Sequence, residues 1–156
     1  MSILKVDTIN EKTTGNGVAI PGHVVQVQQY YNPFTSHTTS TSLSFVASGV
    51  AKSITPKYSN SLILIQSNVT MCYSDAWFKA KMYLNGSPMS GIGEYHHGYI
   101  DNGHNPYSGI SFQGQYQATS TGALNFEIYS ALGSSGTSYI THANASAAIT
   151  LWEIAV

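Results

Sequence analysis

No stretch of this chain repeats apolar residues at helical spacing. Short runs rich in Val, Ile, Tyr, Phe and Thr instead alternate with clusters of Gly, Asn, Ser and Pro, the pattern of strands joined by turns. Eight runs read as strands: His23–Tyr31, Leu43–Ile54, Leu62–Tyr73, Trp77–Leu84, Gly109–Ala118, Ala123–Leu132, Ser138–His142 and Ala147–Val156. Successive side chains of a strand point to opposite faces. Ile63, Ile65, Ser67, Val69 and Met71 therefore face a core, and Leu62, Leu64, Gln66, Asn68 and Thr70 face away. Leu124, Phe126 and Ile128 oppose Asn125, Glu127 and Tyr129 in the same way, as do Ile149 and Leu151 against Thr150 and Trp152. Asn85-Gly86 predicts a tight hairpin turn, since a type I′ turn requires positive φ at both central residues. Ser134-Ser135-Gly136 marks another turn. The expected fold is an all-β, antiparallel β-sandwich or jelly-roll-like head.

A chain of 156 residues suits one domain. Only 8% of residues are charged, with six Lys and no Arg, while 42% are hydrophobic; disorder, which needs low hydrophobicity and high net charge, is excluded. Nucleic acid is not an expected partner, because phosphate neutralisation takes clustered cations. No apolar run is long enough to cross a bilayer, so no membrane insertion is expected. Met1 to Lys12 lacks a basic stretch followed by an apolar signal core, which predicts a soluble chain not exported by that route. Cys72 is alone and reads as a packed strand thiol.

Residues 1–22 differ from the rest. They carry Lys5, Asp7, Glu11 and Lys12, then the turn-forming Thr13-Thr14-Gly15-Asn16-Gly17 and Pro21-Gly22. Extended, they reach about 70 Å. Leu4, Val6, Ile9, Val18 and Ile20 would waste apolar surface in water, so the segment reads as an arm for oligomerisation or attachment, with residues 23–156 forming the head. Residues 109–156 hold only Glu127 and Glu153 as charges. Strand edges are usually guarded by charge, so these edges are expected to be covered by association of the chain with itself.

Candidate chemistry concentrates between Glu94 and Tyr107. His96, His97 and His104, with Glu94 and Asp101, are candidate metal ligands, although their spacing matches no known metal pattern and adjacent strand residues point apart. On a threefold axis one His per chain would suffice. Tyr95, Tyr99, Asp101, Asn102 and Tyr107, with Asn105, offer aromatic faces and polar tips suited to a glycan or protein receptor. The plainer reading is a polar surface loop whose tyrosines pack on the head. Tyr30–Ser42 reads as a polar linker, and Trp77 and Trp152 as core or subunit-interface anchors. No Gly-x-Ser-x-Gly elbow is present, and the seven acids are the only support for a glycan-processing enzyme. No enzyme activity and no cofactor are expected.

Three groups of residues carry a likeness to a known family: Leu4-Lys5-Val6-Asp7-Thr8-Ile9 with Gly15-Asn16-Gly17-Val18 and Ile20-Pro21-Gly22-His23-Val24-Val25-Gln26; Ile54-Thr55-Pro56 with Ser59-Asn60-Ser61-Leu62-Ile63; and Ile149-Thr150-Leu151-Trp152-Glu153-Ile154. The chain resembles fibre-type virion proteins of tailed bacteriophages, marine and cyanobacterial ones especially. The resemblance touches both ends and the middle, and residues 85–145 look particular to this protein. It implies a homotrimeric head on an N-terminal arm that binds other virion proteins, located on the tail fibre or capsid surface and acting in host attachment. A capsid decoration or cement protein is the alternative. The resemblance carries over no catalytic residue.

Overall fold

The computed structural model describes residues 8, 10, 20–35, 38–74, 77–97, 107–141 and 145–156. Among them there are eleven strands and no helix: β1 (Val24–Pro33), β2 (Thr38–Ser40), β3 (Val46–Ile54), β4 (Leu62–Ser74), β5 (Phe78–Leu84), β6 (Ser87–Pro88), β7 (Tyr95–His97), β8 (Tyr107–Gln117), β9 (Leu124–Leu132), β10 (Thr137–Thr141) and β11 (Ser146–Ile154). The larger sheet runs β1-β11-β4-β10-β2 with β8 on the other side of β4; the smaller runs β3-β9-β5-β6 with β7 also on β5. Every pairing is antiparallel. The two sheets share one core, the arrangement of a β-sandwich.

The core follows the alternation of the strands. Ile63, Ile65 and Val69 of β4 and Ile149 and Leu151 of β11 are buried together with Phe78 and Met82 of β5 and Leu124, Phe126 and Ile128 of β9. Each such side chain contributes roughly 1.5–3 kcal/mol on burial. Two core-facing hydroxyls, Ser67 Oγ and Ser130 Oγ, have no hydrogen-bond partner among the described residues.

All eight predicted strands are present, with ends shifted by a few residues. Three short strands were not predicted. β2, β6 and β7 span two or three residues each and are held by partners distant or folded back in sequence, so no local pattern is long enough to reveal them. Two expectations need correction. Tyr30–Ser42 is not a linker throughout: β1 continues to Pro33, Phe34 is buried, and β2 pairs with β10. Trp77 is no core anchor, being 50% exposed at the start of β5, where its carbonyl accepts from Gly133 N at 2.7 Å.

The Asn85-Gly86 turn forms as expected, with φ of 50° and 77°. It joins β5 to β6 by pairing Leu84 with Ser87, and Asn85 Oδ1 accepts from Asn125 N at 2.8 Å, fastening the turn to β9. Gly114 on β8 is needed for a different reason. Ile92 lies so close that any Cβ at this position would collide with its side chain.

Glu153 is the charge that the alternation of β11 turns inward. It is 0% exposed. Its Oε1 accepts from the backbone N–H groups of Lys57 at 2.8 Å and Tyr58 at 3.2 Å, and its Oε2 from Gln26 Nε2 at 2.6 Å. Gln26 Nε2 also donates to the Thr55 carbonyl at 2.7 Å. A buried carboxylate is tolerated when donors replace its lost water. Here they tie β1, the β3–β4 connection and β11 together at one end of the sandwich. Gly22 and His23 lie at the same end: Gly22 N donates to the Ala155 carbonyl at 2.8 Å, and Ala155 N to the His23 carbonyl at 2.9 Å.

Candidate functional site

The outward residues of the two sheets form two unlike surfaces. On the larger sheet, register aligns four rows across β1, β11, β4 and β8. They read Val24-Ile154-Leu62-Gln117, Val27-Trp152-Leu64-Gln115, Gln29-Thr150-Gln66-Gln113 and Tyr31-Ala148-Asn68-Ser111. The first two rows are mainly apolar and the last two mainly amide and hydroxyl. Val27 is 49% exposed, Leu64 36% and Tyr31 64%. None of the sixteen residues is charged. Within the polar rows Ser111 Oγ donates to Asn68 Oδ1, and Gln29 Nε2 to Thr150 Oγ1 at 3.4 Å.

The smaller sheet carries the charges. Lys79 and Lys81 of β5, Glu127 of β9 and His96 of β7 share its outward face by register. Among them the rings of Tyr83 and Tyr129 stack at 3.8 Å and 12°, with Phe45 tilted 6.1 Å from Tyr83. Tyr83 pairs with Glu127 and Tyr129 with Lys81, so the stack bridges diagonal neighbours across two strands. Burial pushes the Tyr83 phenol above its ordinary 10.0, and Tyr129 and Glu94 add to the rise by disfavouring a second negative charge. Glu127 Oε1 accepts from Gly49 N at 3.3 Å, fixing the bulged part of β3 against this face.

The structure separates the residues singled out from the sequence. Tyr95 is partly buried against the core, its hydroxyl 3.2 Å from Ser108 Oγ, as in the plainer reading of the loop. His96 is well exposed and its Nε2 lies 3.0 Å from Glu94 Oε1. Tyr99, Asp101, Asn102 and His104 lie outside the described residues, as do the side chains of His97 and Tyr107. No group of three His, Cys, Asp or Glu able to hold a metal occurs among the described residues. Of the arm positions, Leu4, Val6, Ile9 and Val18 lie outside the described residues. Ile20 is half-buried and its carbonyl accepts from His23 N at 2.9 Å.

Two concavities accompany these faces. A cleft of about 440 Å³ opens between Lys57, Asn60, Thr121 and Val156, at the end of the sandwich where Gly22 bonds to Ala155. A shallower one of about 250 Å³ lies between Glu94, Tyr95, Ser111 and Gln113. Sequence reading missed the Tyr83–Tyr129 stack. Its signal is that both tyrosines fall on the outward phase of their strands, but bringing them together requires the β5–β9 register.

No protein-family model matches the chain, and no curated protein matches it.

Proposed function

We propose that this chain is a structural protein of a phage virion, a fibre or fibre head that attaches the particle to a host surface. One observation carries the adhesive reading: the two outer faces of the sandwich differ in kind, one free of charge and one displaying an aromatic stack among charges. A head that both assembles with its own copies and meets a foreign surface needs two such faces. Large apolar areas on a soluble protein mark association, and aromatic groups beside adaptable polar ones mark recognition. The phage assignment rests on the resemblance of the N-terminal and closing segments, and so do the jelly-roll topology and the homotrimer. In this reading the arm binds other virion proteins, and the smaller sheet with the 94–107 segment meets a host-surface glycan or protein. The chemistry is adhesion, not catalysis.

Locating the chain on the particle by cryo-microscopy tests this. A fibre head sits at the tail in few copies, and the purified protein binds host cells. A dense array over the capsid, with capsids that fall apart without it, would replace the fibre by the decoration-protein reading. Release of sugar fragments by the purified protein would overturn both.

A further inference from the structure

We infer that the outer face of the larger sheet is the surface on which copies of this chain associate. The inference rests on the oligomeric-head reading and names the surface which that reading leaves open. Four strands about 4.8 Å apart and four rows about 6.8 Å apart make a face of roughly 500 Å² in plan. That is a substantial part of the roughly 800 Å² that each partner contributes to a standard interface.

Three observations select a second copy as the occupant. The first is electrostatic. With no charge among its sixteen positions, the face offers nothing to a charged partner, whereas an identical face meets it without repulsion. The second is the form of its polarity. Gln29, Gln66, Gln113, Gln115 and Gln117 each present a donor and an acceptor, so amide rows can pair with amide rows of a copy while Val27, Trp152 and Leu64 meet their counterparts. The third is the path of the chain. The arm departs at Gly22, hydrogen-bonded to Ala155, next to the first apolar row. Its preceding 21 residues, at up to about 3.4 Å each, can reach about 70 Å, far beyond the roughly 27 Å that four rows span on one molecule. The first apolar row thus lies beside Gly22, where the preceding residues join the sandwich.

The face continues to a border, β8, that pairs only with β4 among the described residues. β8 pairs with β4 through eleven unbroken positions from Tyr107 to Gln117, without a register shift. It carries no Lys, Glu, Asp or Pro. The opposite border, β1, is bulged between Val24 and Gln26 and ends at Pro33, devices that discourage edge pairing. Association is therefore expected to draw in the β8 side more than the β1 side.

The test measures the mass of the full chain by size exclusion with light scattering over a concentration series. Val27→Lys and Leu64→Lys place a cation at exposed points of the face, where folding cost is small but burial against a copy is not. The multimer of the wild type is expected to weaken on the order of 100-fold in each variant, falling to the one-chain mass of 16.8 kDa at low concentration. Ala47→Lys, exposed on the smaller sheet, leaves the mass unchanged. If either lysine variant loses its far-ultraviolet circular dichroism, Gln29→Glu gives the same readout without a change of size. A wild type that stays a monomer at every concentration, its arm lying over its own face, overturns the inference. So does a folded Val27→Lys, Leu64→Lys or Gln29→Glu chain that keeps the wild-type mass. A chain that multimerises through this face yet neither joins a phage particle nor binds cells leaves the inference standing and removes the fibre reading.

Discussion

The two sheets share a core and a strand chemistry, yet water meets different surfaces on them. β4 and β11 expose Leu64, Trp152, Gln66 and Thr150; β5 and β9 expose Lys79, Lys81, Glu127 and the Tyr83–Tyr129 stack. Both stand on equally buried inner faces. The shared core therefore does not account for the difference. The scarcity of charge in the chain is not spread evenly: it is concentrated on one side of the sandwich, and β11 even turns its single carboxylate inward.

The largest expected effect lies behind the uncharged face. Glu153→Ala leaves the N–H groups of Lys57 and Tyr58 and the amide of Gln26 without their acceptor, and should cost about 3 kcal/mol in chemical denaturation. Glu153→Gln should cost about 1–2 kcal/mol, because the new amide sets a donor against Gln26 Nε2, and turning Gln26 to fit would abandon Thr55. A neutral result for Glu153→Ala would show that the carboxylate does not hold β1, the β3–β4 connection and β11 together.

On the smaller sheet, Tyr129→Ala removes the stack. It should cost about 1 kcal/mol beyond lost burial and weaken binding to host cells or glycans while leaving the oligomeric mass intact. Loss of oligomerisation in this variant would erase the contrast between the faces. Inside the core, Ser67→Ala and Ser130→Ala remove hydroxyls without partners among the described residues and should be neutral or stabilising by up to about 1 kcal/mol. A loss of more than that from either variant in a thermal melt would mean that the hydroxyl has a partner.

The smallest effect is a pH dependence. The folded Tyr83 phenol titrates above its unfolded value of 10.0, so the folded chain holds this proton more tightly. That contribution is complete below pH 10.0 and fades as pH rises through the folded value. Tyr83→Phe should make alkaline unfolding less steep in this window, and an unchanged slope would place the phenol in an ordinary environment.

The strands were legible from sequence because alternation is local: Ile63 to Val69, Leu124 to Ile128 and the Asn85-Gly86 turn need no knowledge of partners. The inward phase of Glu153 was legible as well, two residues past Leu151, but its acceptors' donors come from Gln26, Lys57 and Tyr58, nearly a hundred residues or more away in sequence. The four uncharged rows and the Tyr83–Tyr129 stack depend on register between strands distant in the chain, which composition does not encode. Tyr95 shows the converse. An aromatic in a histidine-rich segment suggests a receptor contact until its strand pairing with β5 turns it toward the core.

Hydroxyl-radical footprinting of the full chain over a concentration series tests the central claim most directly, since it reads both faces in one sample. Trp152, Val27, Leu64 and Tyr31 are expected to be protected at high protein concentration and to become reactive on dilution, while Trp77 and Tyr83 react equally in both. Reactivity of Trp152, Val27, Leu64 and Tyr31 that is already full at high concentration would contradict it.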